Sequence, residues 1–135
     1  MLVKELNDES PGYHPFLIKK FWQVAKLNYC RSQDLENIKD LEIHMNTDET
    51  FTLLKGDAFL IAAQDGQEEI EMVRLKPGIT YNVPAGVWHN IAMEEGCSVL
   101  ITENAGTHEE EKRLYALPET ARKRIKEFRK MEVAI

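Results

Sequence analysis

At 135 residues the chain is long enough to bury a core of its own and is read as a single compact domain. With 17 basic against 23 acidic residues and a net charge of −6, it lacks the positive surface that phosphate binding draws on. Nucleic acid is therefore set aside as a partner, and a small-molecule metabolite, neutral or anionic, is kept because a local pocket need not share the global sign. Two cysteines, Cys30 and Cys97, offer no disulfide framework, no apolar run approaches membrane-spanning length, and residues 1–10 carry charges where a signal peptide would be apolar. A cytoplasmic protein with reduced thiols and no membrane partner is expected.

Along the chain, the turn formers Ser10, Pro11, Gly12 and Pro15 predict an N-terminal tail over residues 1–15 and a folded domain over residues 16–135. From Phe21 the apolar residues Phe21, Ala25, Leu27 and Tyr29 recur at odd positions, interrupted by Gln23, which predicts a strand with one buried face. Short strands are then predicted over 41–45, 50–54, 58–63, 69–75, 80–83, 87–92 and 98–103. The turns between them are Gly56-Asp57, Gln64-Asp65-Gly66, Lys76-Pro77-Gly78, Pro84-Ala85-Gly86 and Glu94-Glu95-Gly96. Regular turns between short strands favour an all-β sandwich or barrel. The pattern changes near the C-terminus, where Pro118 and Glu119 suit a first helical turn and Ala121, Ile125 and Phe128 form one apolar stripe. A helix over residues 118–131 is expected to pack on the barrel. Its other face, Arg122, Lys123, Arg124, Lys126, Arg129 and Lys130, is read as a solvated surface because no groove-reading motif accompanies it.

Two groups of polar residues recur at telling intervals. Glu42, His44, Glu49 and Gly56 form the first, and Gly78, Pro84, Gly86 and His89 the second, with Met93 four residues beyond His89. Side chains alternate along a strand, so Glu42 and His44 share one face and Leu41, Ile43 and Met45 the other. Likewise Phe51 and Leu53 share the face of Glu49, and Ile91 and Met93 that of His89. Hydrophobicity alone would bury the apolar trio and leave the polar pair in water.

These intervals resemble the two signature motifs of the RmlC-like cupin superfamily, with Glu42 where the first motif usually has its first histidine and Met93 where the second usually ends in asparagine. The resemblance implies an antiparallel double-stranded β-helix, a jelly-roll barrel, with a C-terminal α-helix. It also inverts the burial argument, turning Glu42 and His44 inward and leaving Leu41, Ile43 and Met45 to be covered by a strand, the terminal helix or a second subunit. A homodimer is expected on that ground. It further implies a divalent metal ion, Zn, Fe, Mn or Ni, on Glu42, His44, Glu49 and His89. Two other readings of the same residues stay open: a metal-free pocket of acid and base pairs, in which the two carboxylates repel and one pKa rises, and a merely structural site.

The middle of the chain also resembles the ureidoglycolate lyases, through Glu42, His44, Glu49, Phe51, Lys55 and Gly56 and through Tyr81, Val87, Trp88 and His89. Glu49, where those enzymes commonly have glutamine, and the Pro84-Ala85-Gly86 corner depart from their pattern. That resemblance implies metal-assisted or acid/base lyase chemistry carried by His44, His89 and Glu42, with isomerase or dioxygenase chemistry and a non-catalytic metabolite sensor as other uses of the same pocket. Tyr81, Phe51 and Met93 are the residues expected to touch substrate. Trp22 and Trp88 are read as packing residues, and His14 and His108 as exposed and outside the site.

Overall fold

The computed structural model describes residues 2–65, 69–110 and 112–133, with side chains described as far as Phe128. Gly66 of one expected turn, the side chains of Arg129 and Lys130 on the basic helix face, and the last two residues of the expected domain lie outside the described residues. Among the described residues the strands are β1 (Gly12–Ile18), β2 (Trp22–Asn28), β3 (Asp40–Ile43), β4 (Glu49–Lys55), β5 (Ala58–Ala63), β6 (Glu71–Arg74), β7 (Thr80–Val83), β8 (Trp88–Met93), β9 (Ser98–Asn104) and β10 (Arg113–Ala116), followed by helix α1 (Glu119–Val133). They form two five-stranded sheets, in the orders β1-β2-β9-β4-β7 and β10-β3-β8-β5-β6. Every pairing within the sheets is antiparallel. The expected all-β architecture with a terminal helix is what the chain adopts.

The interior between the sheets takes alternate side chains from strands such as β4, β8 and β9. Leu27, Phe51, Leu53, Leu60, Ile91 and Val99 are among the residues buried there. Gly56 closes the β4 to β5 turn at φ +84°, where a Cβ would stand 2.6 Å from the Cys97 Cα, so glycine is needed for both its conformation and its lack of a side chain.

A second apolar layer covers the outer face of the other sheet. Leu41, Ile43, Phe59, Ile61 and Trp88 pack there beneath Leu117, Ala121 and Ile125, and the Phe59 and Phe128 rings meet edge-on at 4.6 Å. The Arg122 N–H bonds the Pro118 carbonyl at 3.1 Å, so Pro118 flanks α1, which starts one residue later than expected at Glu119, and Arg124 anchors the helix through the Ile70 carbonyl at 2.9 Å. Of the covers expected for Leu41 and Ile43, a strand, the terminal helix or a second subunit, the helix is in place within the chain itself, while Met45 remains 56% exposed. No helix among the described residues is long and apolar enough to cross a membrane.

The N-terminal boundary differs from expectation. β1 starts at Gly12 inside the stretch read as tail, and Pro15 fits because β1 is an edge strand, where a missing N–H need not break a ladder. Residues before it are also tied down. Asn28 donates to the carbonyls of Asp8 and Ser10, and the Lys26 ammonium bonds Asn7 and Glu9, each at 2.9 Å. β10 was not expected at all: its four residues are exposed and show no alternation, and they are held by pairing with β3.

Candidate functional site

Strand register assembles the site. Glu42 on β3 pairs with His89 on β8, and across the interior Glu49 on β4, Glu103 on β9 and Gln23 on β2 lie in one row. The two motifs are joined directly by the Gly86 N–H, which donates to the His44 carbonyl at 2.8 Å. The Pro84-Ala85-Gly86 corner is also held by Asp48, whose carboxylate accepts the Ala85 N–H at 2.9 Å.

The four motif side chains converge. His44 Nε2 lies 3.1 Å from Glu49 Oε2 and 3.6 Å from Glu42 Oε1, and His89 Nε2 lies 3.3 Å from the same Glu49 oxygen. His89 Nδ1 donates to the Val87 carbonyl at 3.0 Å, which turns Nε2 toward the cavity. Lys112 stands at the mouth, 3.6 Å from Glu42 Oε2.

Charges in this cluster shift one another. Glu42 and Glu49 raise the His44 pKa to about 10. Burial pushes Glu49 up, but hydrogen bonds from His44 and His89 outweigh it and hold the carboxyl at about 2. Burial lowers His89, and the bond to Glu49 more than restores it, leaving it raised. Burial likewise opposes ionisation of Glu42, which ends lowered through His44 and Lys112. The repulsion expected between Glu42 and Glu49 is therefore overcome by the imidazoles. The carboxyl that is raised is Glu103, through burial and the nearby Glu49 charge.

The donor set fits a divalent ion. Ligand atoms of Glu42, His44 and His89 lie within 4.8 Å of one another, as do those of His44, Glu49 and Glu103. Ligands bound about 2.0–2.2 Å from one ion must stand this close, and a histidine whose second nitrogen is fixed by a carbonyl is the usual support for such a bond.

The cavity beside these groups measures about 320 Å³, within the range of small-molecule sites. Phe51 lines it, with its ring edge to His89 at 6.0 Å. The other two residues expected to touch substrate lie elsewhere. Met93 is fully buried in the core and lies outside the cavity lining, because its strand carries it into the apolar end of the interior. Tyr81 lines a separate hollow of about 710 Å³ with Val83 and Val87, and its hydroxyl accepts the Lys76 N–H at 3.0 Å. His108, read as outside the site, is on the cavity wall with Nδ1 3.1 Å from Gln23 Nε2. His14 bonds the Pro11 carbonyl and keeps its peripheral place.

Sequence reasoning missed Tyr13, Gln23 and Glu103. Tyr13 donates to Glu103 Oε2, and the Gln23 amide reaches both. A signal was present: Gln23 breaks an apolar face, and Glu103 follows Val99 and Ile101 on the inward side of β9.

No protein-family model and no curated protein sequence matches the chain. Solved structures do. An RmlC-like cupin family protein with a double-stranded β-helix fold from Methanocaldococcus jannaschii aligns over 81% of this chain and 96% of its own, at TM-score 0.56 and 14% identity. This chain has the cupin fold. The QdtA 3,4-ketoisomerase from Thermoanaerobacterium thermosaccharolyticum, solved with TDP, aligns over 73% of this chain and 67% of its own, at TM-score 0.55 and 19% identity. Fe(II)-HppE with an alternative substrate aligns over 76% of this chain and 54% of its own, at TM-score 0.52 and 16% identity. Cupins with these shapes thus include enzymes, a small-ligand complex and an iron protein, each at an identity that carries the fold alone.

Proposed function

We propose that the protein is a cupin enzyme acting on a small polar metabolite with a divalent ion, Zn, Fe, Mn or Ni, held by Glu42, His44, Glu49 and His89. The observation that carries this reading is the convergence of these donors at one end of the cavity, with His89 oriented from behind by the Val87 carbonyl. An ion bound there supplies Lewis-acid polarisation of a substrate oxygen. The chain supplies the rest. Phe51 and Ile91 wall the site against water, and Lys112 adds a positive charge at the mouth. Glu42 is the least buried of the four side chains, at 27% against 8%, 7% and 3% for His44, Glu49 and His89. It faces both His44 and Lys112, and so is the group best placed to take or give a proton.

Lyase chemistry of the ureidoglycolate type makes ureidoglycolate the first substrate to assay. A non-catalytic sensor would use the same cavity without turnover. A homodimer is proposed on a different surface from the one first expected, since Ile18, Phe21 and Trp22 are exposed around the β1 to β2 turn. Sedimentation at micromolar concentrations tests it.

The metal is tested by melting chelator-treated protein with each ion. One of the four should raise the melting temperature, because binding to the folded state alone stabilises it. His89→Ala should still fold and should lose that rise. A wild-type melting temperature indifferent to all four ions overturns the metal and leaves the hydrogen-bonded acid and base pairs as the working site.

A further inference from the structure

Much of the cavity wall's hydrogen-bond donor capacity is already engaged. Gln33 Nε2 donates to Asn90 Oδ1 at 3.0 Å and to the Ile91 carbonyl at 2.7 Å, Asn90 Nδ2 to the Asp40 carbonyl at 2.8 Å, and the Thr107 hydroxyl to the Asn104 carbonyl at 2.6 Å. The Tyr13 hydroxyl donates to Glu103. What the wall presents to a ligand is mostly acceptor: the carboxylates of Asp40, Glu42 and Glu103, against the Lys112 ammonium and the His108 ring.

Glu103 is held with unusual care. Its residue is 6% exposed, and Oε2 accepts from both Tyr13 and Gln23, the latter at 3.3 Å. Gln23, wholly buried, has its own orientation set by the Gly106 N–H, which donates to Oε1 at 2.9 Å. That bond turns Nε2 toward Glu103, toward the Tyr13 hydroxyl at 3.0 Å and toward His108 Nδ1 at 3.1 Å. A buried amide in the inward face of an apolar strand is costly unless its bonds are made, and here two of its contacts reach Glu103 or the tyrosine that bonds it. Oε2 is taken by these two bonds, and among the described residues Oε1 accepts no hydrogen bond. A carboxylate preorganised in this way accepts hydrogen bonds from a ligand and repels a ligand's negative charge.

We propose that Glu103, positioned by Tyr13 and Gln23, is the substrate-recognition residue of the cavity, and that it selects neutral, hydroxyl-bearing ligands of the polyol or sugar class over the corresponding carboxylic acids. The proposal rests on the function given above for the placement of the ligand beside the Glu49 and His89 end, and it departs from it in one respect: ureidoglycolate, itself a carboxylate, falls in the disfavoured class.

The test is calorimetric titration of the full chain, with and without added metal, by erythritol, xylitol and sorbitol and by erythronate, xylonate and gluconate. At least one neutral polyol should bind at least tenfold more tightly than the acid of the same length. Glu103→Gln should reduce that preference at least tenfold while leaving metal affinity within twofold of wild type, and Tyr13→Phe, which keeps the ring, should reduce it in the same direction by less. An acid that binds more tightly than its polyol, no binding by any polyol, or an unchanged preference in Glu103→Gln overturns the proposal. Loss of metal affinity in Glu103→Gln also overturns it, by making Glu103 a metal ligand. A protein that takes no metal but keeps the polyol preference refutes the metal reading alone.

Discussion

Along β4 the side chains of Glu49, Phe51 and Leu53 all enter the barrel, yet they enter two different environments. Glu49 meets His44 and His89 at the open end, where the carboxylate is paired with both imidazoles. Leu53 lies beside Val99 at the closed end, packed in the same core as Leu60, Leu75 and Cys97. Phe51 separates them, with one edge on His89. Three inward side chains of one strand thus pass from a site where charge is stabilised by geometry to a core stabilised by removing apolar surface from water. Stability should therefore reside chiefly at the closed end and ligand chemistry at the open end.

The largest expected effect lies at the closed end. Leu53→Ala should destabilise the protein by about 2–5 kcal/mol, the range for deleting a buried leucine side chain, read as the midpoint of urea unfolding. Metal affinity of the folded fraction should be unchanged, and a parallel loss of affinity would break the separation of the two ends.

Next comes the turn that joins β4 to β5. Gly56→Ala forces a Cβ to within 2.6 Å of the Cys97 Cα at a positive φ, and should cost about 1–3 kcal/mol in backbone strain alone. Thermal melts of this variant should drop without loss of the cavity's ligands, which places the motif glycine on the structural side of the comparison.

The open end should be visible as a pH dependence in chelator-treated protein. Glu49 titrates at about 2 in the fold, below its ordinary 4.5, so its contribution is complete above pH 4.5 and is lost as pH falls toward 2. His44 titrates at about 10, above its ordinary 6.5, so its contribution is complete below pH 6.5 and is lost as pH rises through 10. Melting temperature against pH should show a plateau between these limits, and Glu49→Gln should flatten both flanks. A metal-free wild type whose melting temperature does not decline between pH 6.5 and 10 would contradict the coupling of His44 to the carboxylates.

The smallest effect is expected at the mouth. Lys112 is half exposed and 3.6 Å from Glu42, so Lys112→Ala should change stability by less than about 1 kcal/mol in denaturant unfolding. A larger loss would make the mouth part of the structural frame.

The period-two alternation and the turn glycines were enough to give the approximate limits of most strands, though not of β1 or β10, while the convergence of Glu42, His44, Glu49 and His89 was implied by the resemblance of their intervals to the cupin motifs. Alternation and turns are local properties: one residue along a strand reverses a side chain's face, and a tight turn returns the chain to its neighbour. Burial was harder to read, because a polar side chain on an alternating strand points inward or outward depending on what the rest of the chain leaves there. Only the assembled sheets show Leu41 and Ile43 covered by α1 while Glu42 faces the cavity. Only they show Met93 drawn into the apolar end and Tyr81 into another hollow. Tyr13, Gln23 and Glu103 lie on β1, β2 and β9, as many as 90 residues apart, and meet because antiparallel register sets Glu103 between Gln23 and Glu49. Register between distant strands is decided by the packing of both whole faces, so no local interval could have announced that trio.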